Sequence, residues 1–460
     1  MRLSSATMSR LRPDVSRPAY DRDAQAVGIV HLGIGAFHRA HQAVFTDDAM
    51  AGGDRDWAIT GVSLRSPQVR DTMMPQDGLY SVKTRGGTDG DQARIIGAVR
   101  DVIVAPNDPT GLADRLAMPS TRIVTLTVTE KGYLRRPDGT LDLEAAARGQ
   151  TIYTILAAAM RARRTAGIGG LTILSCDNLA ENGQVLTGLL QTYCDRFAPE
   201  DAAWFARECT CPSTMVDRIV PATQASDYEQ VATRLGMHDD AAVVTEPFRQ
   251  WVIEDRFATP RPGWDRVGAE MVSDVRPYET AKLRMLNGAH SALAYLGLAA
   301  GHSYVHQAIA DPALRPMIER LMRIEAARTI APAPGQDLDA YADALIARFG
   351  NAALSHRLAQ IAMDGSQKIG PRWLDALAIN QSRGDDCPAT LAALAAWVIH
   401  VCGDHGAVDD PMADQFRQLW EQAGRNGMAE ALFGPKGLYA GRWVASDATL
   451  RILTDLIAQG

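Results

Sequence analysis

The stretch VGIVHL at residues 27–32 is followed directly by Gly33-Ile34-Gly35 and then by residues 36–50, which have a helical pattern. The apolar, β-branched run predicts a buried strand. A strand, two closely spaced glycines and a helix form the start of a dinucleotide-binding unit, because glycines let the backbone approach a pyrophosphate. The full G-x-G-x-x-G pattern is not met, since His38 occupies its last position, so a plain tight turn stays an alternative.

Outward from this stretch, strand-like and helical patterns alternate, as in an α/β domain with a mainly parallel sheet. The further strand-like runs are residues 57–64, 94–104, 122–128 and 170–174. Residues 1–24 are polar, and we expect an extended arm there. After about residue 270 strand-like runs become rare and alanine- and leucine-rich helical patterns dominate. We therefore predict a Rossmann-type dinucleotide-binding domain at residues 1–270 and a mostly α-helical substrate and catalytic domain at residues 271–460.

The composition narrows the function classes. The chain has 460 residues, a net charge of −7 and six scattered cysteines. An acidic balance argues against nucleic-acid binding, and unpaired cysteine spacing indicates a reducing compartment and no zinc site. No apolar run approaches the length of a membrane helix, and residues 1–12 lack the apolar core of a signal peptide. We expect a cytoplasmic enzyme that binds neither membrane nor metal.

Lysine is rare in this chain. Of the 47 basic residues only five are lysines, namely Lys83, Lys131, Lys282, Lys368 and Lys436. A desolvated lysine acts as a base, whereas arginine does not titrate usefully. On a regular helix Asn287 and His290 are neighbours on one face, and Lys282 lies about 80° from His290. We expect all three in one cleft, with a surface lysine and a buried histidine as the plainer alternative.

Further candidates follow the predicted strands. Arg39, after the glycine turn, is a possible phosphate contact. Asn178 follows the strand at residues 170–174, at the strand end where α/β sheets bind ligands. No acidic residue follows the second strand to bind the ribose, and Arg65-Ser66 in that place suits a 2′-phosphate, so NAD and NADP both stay open. Lys368, in a turn-like segment, is a possible cationic contact for the substrate.

Several motifs in order resemble the polyol-specific long-chain dehydrogenase family, also called the mannitol dehydrogenase family. They include Gly33-x-Gly35-x-Phe37-x-Arg39, Thr127-Val128-Thr129-Glu130-Lys131, Ser175-Cys176-Asp177-Asn178, Val216-Asp217-Arg218 and Lys282-x4-Asn287-x2-His290. The resemblance implies metal-independent hydride transfer between a nicotinamide cofactor and a secondary alcohol. The expected cofactor is NAD.

The resemblance also implies roles for individual residues. Lys282 would be the general base, Asn287 and Asn178 would hold the alkoxide, and His290 would orient the substrate. Glu279 matches a glutamate that gates proton exchange. Glu130 and Asp217 match acidic positions on the cofactor or substrate side.

Within the family, the chain looks like the branch of fructuronate reductases. Polyol oxidisers often carry an arginine where this chain has Gln360. Lys368 and Arg372, with Arg284, are candidate contacts for a substrate carboxylate. The runner-up is mannitol 2-dehydrogenase activity on D-mannitol and D-fructose, and a redox sensor without catalysis is a remote alternative. The expected partner is a small sugar acid or polyol, and the expected state is a monomer or small homo-oligomer.

Overall fold

The computed structural model describes residues 1–86, 90–403 and 408–460. The chain forms two compact units, Met1–Arg276 and Pro277–Gly460. Within the described ranges, every helix is too short or too polar to span a bilayer. The predicted boundary near residue 270 stays a prediction.

Unit 1 is built on strands. The described strands are β1 (Val27–Leu32), β2 (Ala58–Ser63), β3 (Tyr80–Thr84), β4 (Gln92–Ile96), β5 (Val99–Val104), β6 (Ile123–Leu126), β7 (Thr172–Ser175), β8 (Thr214–Asp217), β9 (Val243–Thr245), β10 (Gln250–Glu254) and β11 (Glu270–Val272). The described α-helices are α1 (Ala36–Ala40), α2 (Gln42–Ala51), α3 (Gln68–Met73), α4 (Pro109–Ala117), α5 (Leu143–Ala146), α6 (Ile152–Thr165), α7 (Asn182–Phe197), α8 (Pro199–Glu208) and α9 (Ala225–Leu235).

The central sheet of unit 1 has the strand order β5-β2-β1-β6-β7, and its neighbouring strands all pair in parallel. β1 is central, with Ile29 opposite both Ile59 and Ile123. The chain leaves β1 toward β2 on one side and later returns to pair β6 on the other, which makes the carboxyl edge beside β1 the point where such sheets bind ligands. The predicted Rossmann-type α/β fold is confirmed.

Two smaller sheets complete unit 1. Their strand orders are β11-β10-β8 and β4-β3-β9, and both mix parallel with antiparallel pairs. The expected single strand at residues 94–104 is therefore two strands, β4 and β5, in different sheets. The expected arm also differs from the structure, since Leu3, Leu11 and Val15 are buried in a core cluster with residues of β4 and α9.

Unit 2 is helical. Its described α-helices are α10 (Arg276–Ala281, beginning at the last residue of unit 1), α11 (Gly288–Ala299), α12 (Val305–Ala310), α13 (Arg315–Arg320), α14 (Leu338–Phe349), α15 (Leu358–Ala362), α16 (Gly365–Ile369), α17 (Asp375–Arg383), α18 (Pro388–Val401), α19 (Ala413–Phe433) and α20 (Asp447–Gln459). Three described segments are π-helical instead, with one more residue per hydrogen-bonded turn: Lys282–Asn287, Leu321–Ala326 and Gly370–Leu374. The predicted helical second half is confirmed.

The core of unit 2 forms around α11. This helix packs against α15 and α18, and Leu293, Ala292 and Trp397 are fully buried there. The close approach leaves no room at Gly365, where a Cβ atom would overlap the Tyr295 hydroxyl and the Trp397 indole nitrogen. α11 is thus held tightly at the centre of unit 2.

Candidate active site

The turn after β1 requires glycine at residue 33. Gly33 has a φ of +98°, in the region that favours glycine. A Cβ atom on Gly33 would overlap the carbonyl oxygen of Thr127 at the end of β6. The Gly33 N–H donates to the Val62 carbonyl at 2.9 Å, and the Gly35 N–H donates to the Gly33 carbonyl at 2.7 Å. The turn is therefore fixed against the ends of both neighbouring strands.

The buried side chain of His31 is hydrogen-bonded to the glycine turn and to the neighbouring strand β6. His31 Nε2 lies 2.9 Å from Thr127 Oγ1 and 3.2 Å from the Gly33 carbonyl, and its Nδ1 lies 2.7 Å from Thr125 Oγ1. The His31 ring stacks on His38 with 3.4 Å between centroids. Burial lowers the pKa of His31 to about 3, so the ring is neutral at pH 7. Its hydrogen bonds connect the glycine turn to β6.

A cleft of about 410 Å³ opens at the carboxyl ends of β1, β2 and β6. Its described lining is Gly33–Gly35, Ser63–Ser66, Thr127–Thr129, Lys131, Gly132, Leu134 and Gln150–Ile152. This lining includes the cations Arg65 and Lys131 but no carboxylate. A Cβ atom on Gly35 would meet only the Gly33 carbonyl oxygen, at 3.8 Å, so the turn is not crowded there. A glycine turn beside two cations fits the diphosphate of a dinucleotide.

Asp177, which the sequence places with Asn178 after the strand at residues 170–174, organises the segment after β6. Its carboxylate accepts hydrogen bonds from the N–H groups of Thr129 (2.8 Å) and Val128 (3.1 Å) and from the Tyr133 hydroxyl (2.8 Å). Burial raises the pKa of Asp177. Thr129 has a φ of +63°, which is strained for a β-branched residue and marks functional segments. Asp177 thus fixes the backbone beside two candidates, the exposed Glu130 and Asn178.

The other cofactor candidates of unit 1 are not among the residues that line the cleft, although Arg39 and Glu130 are next to residues that do. The Arg39 guanidinium donates to the carbonyls of Gly35 and Ala241 and lies over the Tyr80 ring. Phe37 stacks on the His41 ring at 5.1 Å. Asp217 is buried at the end of β8. The proposed contacts of Phe37, Arg39, Glu130 and Asp217 with a cofactor stay predictions.

In unit 2, the segment that carries Lys282 and Asn287 is not a regular α-helix. Both residues lie in the π-helical turn Lys282–Asn287, and α11 with His290 follows it. On a continuous α-helix Lys282 would lie about 80° from His290; the π turn between them changes this angle. Lys282, Asn287 and His290 are all half-buried. Glu279 lies in α10, three residues before Lys282.

His290 lies in an apolar and cationic neighbourhood. Its ring centroid is 4.8 Å from that of Phe349 and 5.3 Å from that of His356. Burial, and then the positive charges of His356, Arg348 and Arg372, hold the pKa of His290 well below its usual range. His290 is therefore neutral at pH 7 and suits hydrogen bonding to substrate hydroxyls rather than proton transfer.

Lys368 and Arg372 lie one helical turn apart in α16 and the following π turn. Lys368 Nζ donates to the carbonyls of Met363 and Ile361, and Arg372 Nη1 donates to Ser291 Oγ (2.6 Å) and to the Asn287 carbonyl (3.3 Å). Burial and then the neighbouring Arg372 lower the pKa of Lys368, and burial lowers the pKa of Arg372 to about 10. Arg372 therefore lies beside Asn287, and both cations donate to uncharged acceptors, while the nearby carboxylates of Asp364 and Asp410 partly offset the lowering of the Lys368 pKa.

The two other candidate substrate contacts, Gln360 and Arg284, lie in different surroundings from Lys368 and Arg372. Gln360 is an exposed residue of α15. Arg284 donates to the Thr329 carbonyl at 2.7 Å, which commits that nitrogen to the protein backbone. Among the described residues, no cluster of three or more His, Cys, Asp or Glu side chains is arranged to hold a metal ion.

A parallel Rossmann sheet with a glycine turn at its carboxyl edge is typical of a dinucleotide-binding enzyme. The family model of the mannitol dehydrogenase Rossmann domain matches residues 27–266, and that of the mannitol dehydrogenase C-terminal domain matches residues 274–446. The chain belongs to the mannitol dehydrogenase family, as the sequence motifs predict. It is an NAD-dependent oxidoreductase of this family. The alternative interpretation, a redox sensor without catalysis, is therefore wrong.

The chain is similar to family members whose names give different activities. It is 40% identical over 445 residues to D-mannonate oxidoreductase of Escherichia coli, which covers 93% of this chain and 91% of the relative. It is 36% identical over 439 residues to mannitol 2-dehydrogenase of Pyrenophora tritici-repentis, which covers 91% of this chain and 77% of the relative. The structure of Pseudomonas fluorescens mannitol 2-dehydrogenase with NAD and D-mannitol is 33% identical, with a TM-score of 0.80, over 100% of this chain and 96% of that one.

Proposed function

We propose that the chain is a fructuronate reductase, which interconverts D-mannonate and D-fructuronate. In the oxidising direction, D-mannonate and NAD⁺ give D-fructuronate, NADH and a proton. Bound NAD⁺ accepts the hydride from the carbinol carbon. The remaining chemistry is the removal of one proton from the alcohol oxygen and the stabilisation of the charge that develops there.

Residues of unit 2 supply that chemistry in this proposal. Lys282 accepts the alcohol proton, and the side-chain amide of Asn287 donates a hydrogen bond to the same oxygen. A neutral donor such as Asn287 stabilises an alkoxide without competing for the proton of the lysine. His290 donates to or accepts from a neighbouring substrate hydroxyl, in keeping with its neutral ring. Glu279 relays the proton toward solvent, and Asn178 in unit 1 is a second proposed amide donor.

The choice of a sugar acid rests on one observation in unit 2. Among the described residues, neither Lys368 nor Arg372 makes an ion pair with a carboxylate. Two half-buried cations without an ion-pair partner favour an anionic ligand, because burial of unpaired charge costs free energy. A uronate carboxylate supplies that partner, and the neutral D-fructose does not. The similarity to D-mannonate oxidoreductase supports the same assignment.

The test is a comparison of steady-state rates with three ketoses. D-Fructuronate, D-tagaturonate and D-fructose are each reduced with NADH, and kcat/KM is measured for each. We expect kcat/KM for D-fructuronate to exceed that for D-fructose by about tenfold to a hundredfold, the value of one charge-assisted hydrogen bond of roughly 1.5–3 kcal/mol. Equal rates with D-fructose would replace this proposal by mannitol 2-dehydrogenase activity. Preference for D-tagaturonate would keep the sugar-acid class and change the sugar.

A further inference from the structure

The turn that carries Lys282 has an uncommon hydrogen-bond pattern. The N–H of Gly288 bonds to the carbonyl of Leu283, five residues earlier, as well as to that of Met285. A π-helical turn of this kind is rare and is found mostly at functional sites. It contains one more residue than the α-helical turn that would otherwise connect α10 to α11.

The extra residue changes which side chains share a face. In an α-helix, residues five apart such as Lys282 and Asn287 point about 140° away from each other. In a π turn the bonded pair is five residues apart, so the same two side chains are separated by only about 50°. His290 follows Asn287 by three α-helical residues and is its neighbour. The π turn therefore brings the proposed base onto the face of Asn287 and His290, while Met285 and Leu286 are buried elsewhere.

Two side chains of a second π turn bind the junction between this turn and α11. Trp373 Nε1 donates to the Gly288 carbonyl at 3.1 Å. Arg372 Nη1 donates to the Asn287 carbonyl at 3.3 Å and to Ser291 Oγ at 2.6 Å. Trp373 is 1% exposed, so its N–H has no access to water as a substitute partner. These bonds reach main-chain atoms on both sides of the residue where helix geometry changes.

We propose that Trp373, supported by Arg372, is a positioning residue that holds the π turn and thereby sets the direction of Lys282 relative to Asn287 and His290. The inference rests on the proposed role of Lys282 as the base. Without the indole N–H, the segment gains by relaxing toward α-helical hydrogen bonding. That relaxation rotates Lys282 by about 90° away from Asn287, from a separation of about 50° to one of about 140°.

The test replaces Trp373 by Phe, which keeps a large aromatic ring and removes only the N–H donor. The matched control is Trp397→Phe, since Trp397 is fully buried in the same core and its indole nitrogen has no hydrogen-bond partner among the described residues. The substrate is the ketose or alcohol that the wild type turns over fastest. Measured are kcat, KM, the pH profile of kcat for alcohol oxidation, and the melting temperature.

We expect Trp373→Phe to lower kcat about tenfold, the value of one hydrogen bond of about 1.4 kcal/mol. The KM for NADH stays unchanged, and the apparent pKa of the basic group in the pH profile moves by about half a pH unit or more. Trp397→Phe keeps kcat within about twofold and keeps the same pH profile, although it lowers the melting temperature. A milder variant, Ser291→Ala, removes one anchor of Arg372 and lowers kcat about threefold.

Equal kcat values and pH profiles for Trp373→Phe and Trp397→Phe would overturn the inference. So would an unchanged kcat in Ser291→Ala, which keeps the inference testable if Trp373→Phe does not fold. Lys282→Ala is measured in parallel. Full activity in Lys282→Ala removes the proposed base itself, whereas an inactive Lys282→Ala with an unaffected Trp373→Phe refutes only the positioning role.

Discussion

Arg372 donates a hydrogen bond to the hydroxyl of Ser291 at 2.6 Å, four residues beyond Asn287 along the chain. The same nitrogen also reaches the Asn287 carbonyl. This pair of contacts fixes one cation beside the proposed alkoxide donor. Lys368, one helical turn earlier, adds a second positive charge to the same part of unit 2.

Replacing Lys368 by Met should discriminate between charged and neutral substrates. A charge-assisted hydrogen bond is worth roughly 1.5–3 kcal/mol, so we expect KM for D-fructuronate to rise about tenfold or more and KM for D-fructose to change little. Lys436→Met, at an exposed lysine of unit 2, is the control and should match the wild type. An equal effect of Lys368→Met on both substrates would refute a carboxylate contact at this residue.

Replacing Lys282 by Ala should abolish turnover while leaving NADH binding intact. A general base contributes about a hundredfold or more to kcat, and the cofactor cleft is lined by residues of unit 1. The measurements are steady-state activity and titration of NADH fluorescence, with Lys436→Ala as the control. Retention of most activity would remove Lys282 from the mechanism, and loss of NADH binding would show a role beyond proton transfer.

The cleft composition predicts that NADPH binds as well as NADH. Arg65 lines the cleft after β2, where NAD-specific enzymes carry a carboxylate, and the described lining contains none. We expect dissociation constants for NADH and NADPH within about tenfold of each other, measured by fluorescence titration. Arg65→Ala should weaken NADPH about tenfold and leave NADH unchanged. Arg55→Ala, at an exposed arginine of unit 1, should affect neither; undetectable NADPH binding by the wild type would contradict the prediction.

Activity should not depend on a metal ion. Lysine and asparagine supply a base and a neutral donor, which is the work that zinc performs in other dehydrogenases. Prolonged dialysis against a strong chelator, followed by assay in chelated buffer, should leave kcat and KM unchanged. A loss of activity that added zinc restores would contradict this prediction and the roles given to Lys282 and Asn287.

Acid should destabilise the fold through its buried histidines. The pKa of His31 in the folded state is about 3, below the ordinary value of about 6.5 in the unfolded chain. The unfolded state therefore binds more protons as the pH falls below about 6.5, and stability falls with it. From pH 8 to pH 5 we expect His31 to account for a loss of about 2 kcal/mol in the free energy of unfolding.

The variant His31→Asn tests this pH dependence. Urea denaturation at a series of pH values gives the free energy of unfolding for wild type and variant. The variant is less stable at pH 8, because it loses contacts with the glycine turn, but its stability changes less with pH. His238→Asn, at an exposed histidine, should keep the wild-type pH dependence. Parallel curves for wild type and His31→Asn would contradict the prediction.

The fold was predictable from sequence because its central strands are continuous apolar runs. β1, β2 and β6 are buried on both faces, and such runs alternate with helices in the chain. The strands β4 and β5 were merged, since Gly97-Ala98 between them gives no strong turn signal. The buried N-terminal segment was missed because Leu3, Leu11 and Val15 follow neither a helical nor a strand period.

The site was predictable only in part. The strand–glycine–helix order and the scarcity of lysine pointed to Gly33 and Lys282. The supporting contacts were not predictable, because the carboxylate of Asp177 and the indole of Trp373 act on main-chain atoms distant in sequence. The π turn itself was not predicted: Asn287-Gly288 is a poor choice inside a helix and marks the place, but it does not reveal one extra residue in the turn.

The three π turns described in unit 2 affect how this sequence aligns with its relatives and how it tolerates deletions. Each π turn adds one residue to its helix, so the spacing that places two residues on the same face differs before and after the turn. A relative with one residue fewer between Lys282 and Asn287 would align with a one-residue gap and keep both helices. Deletion of a single residue from the turn Lys282–Asn287 should therefore change the direction of Lys282 relative to Asn287 while both flanking helices are kept.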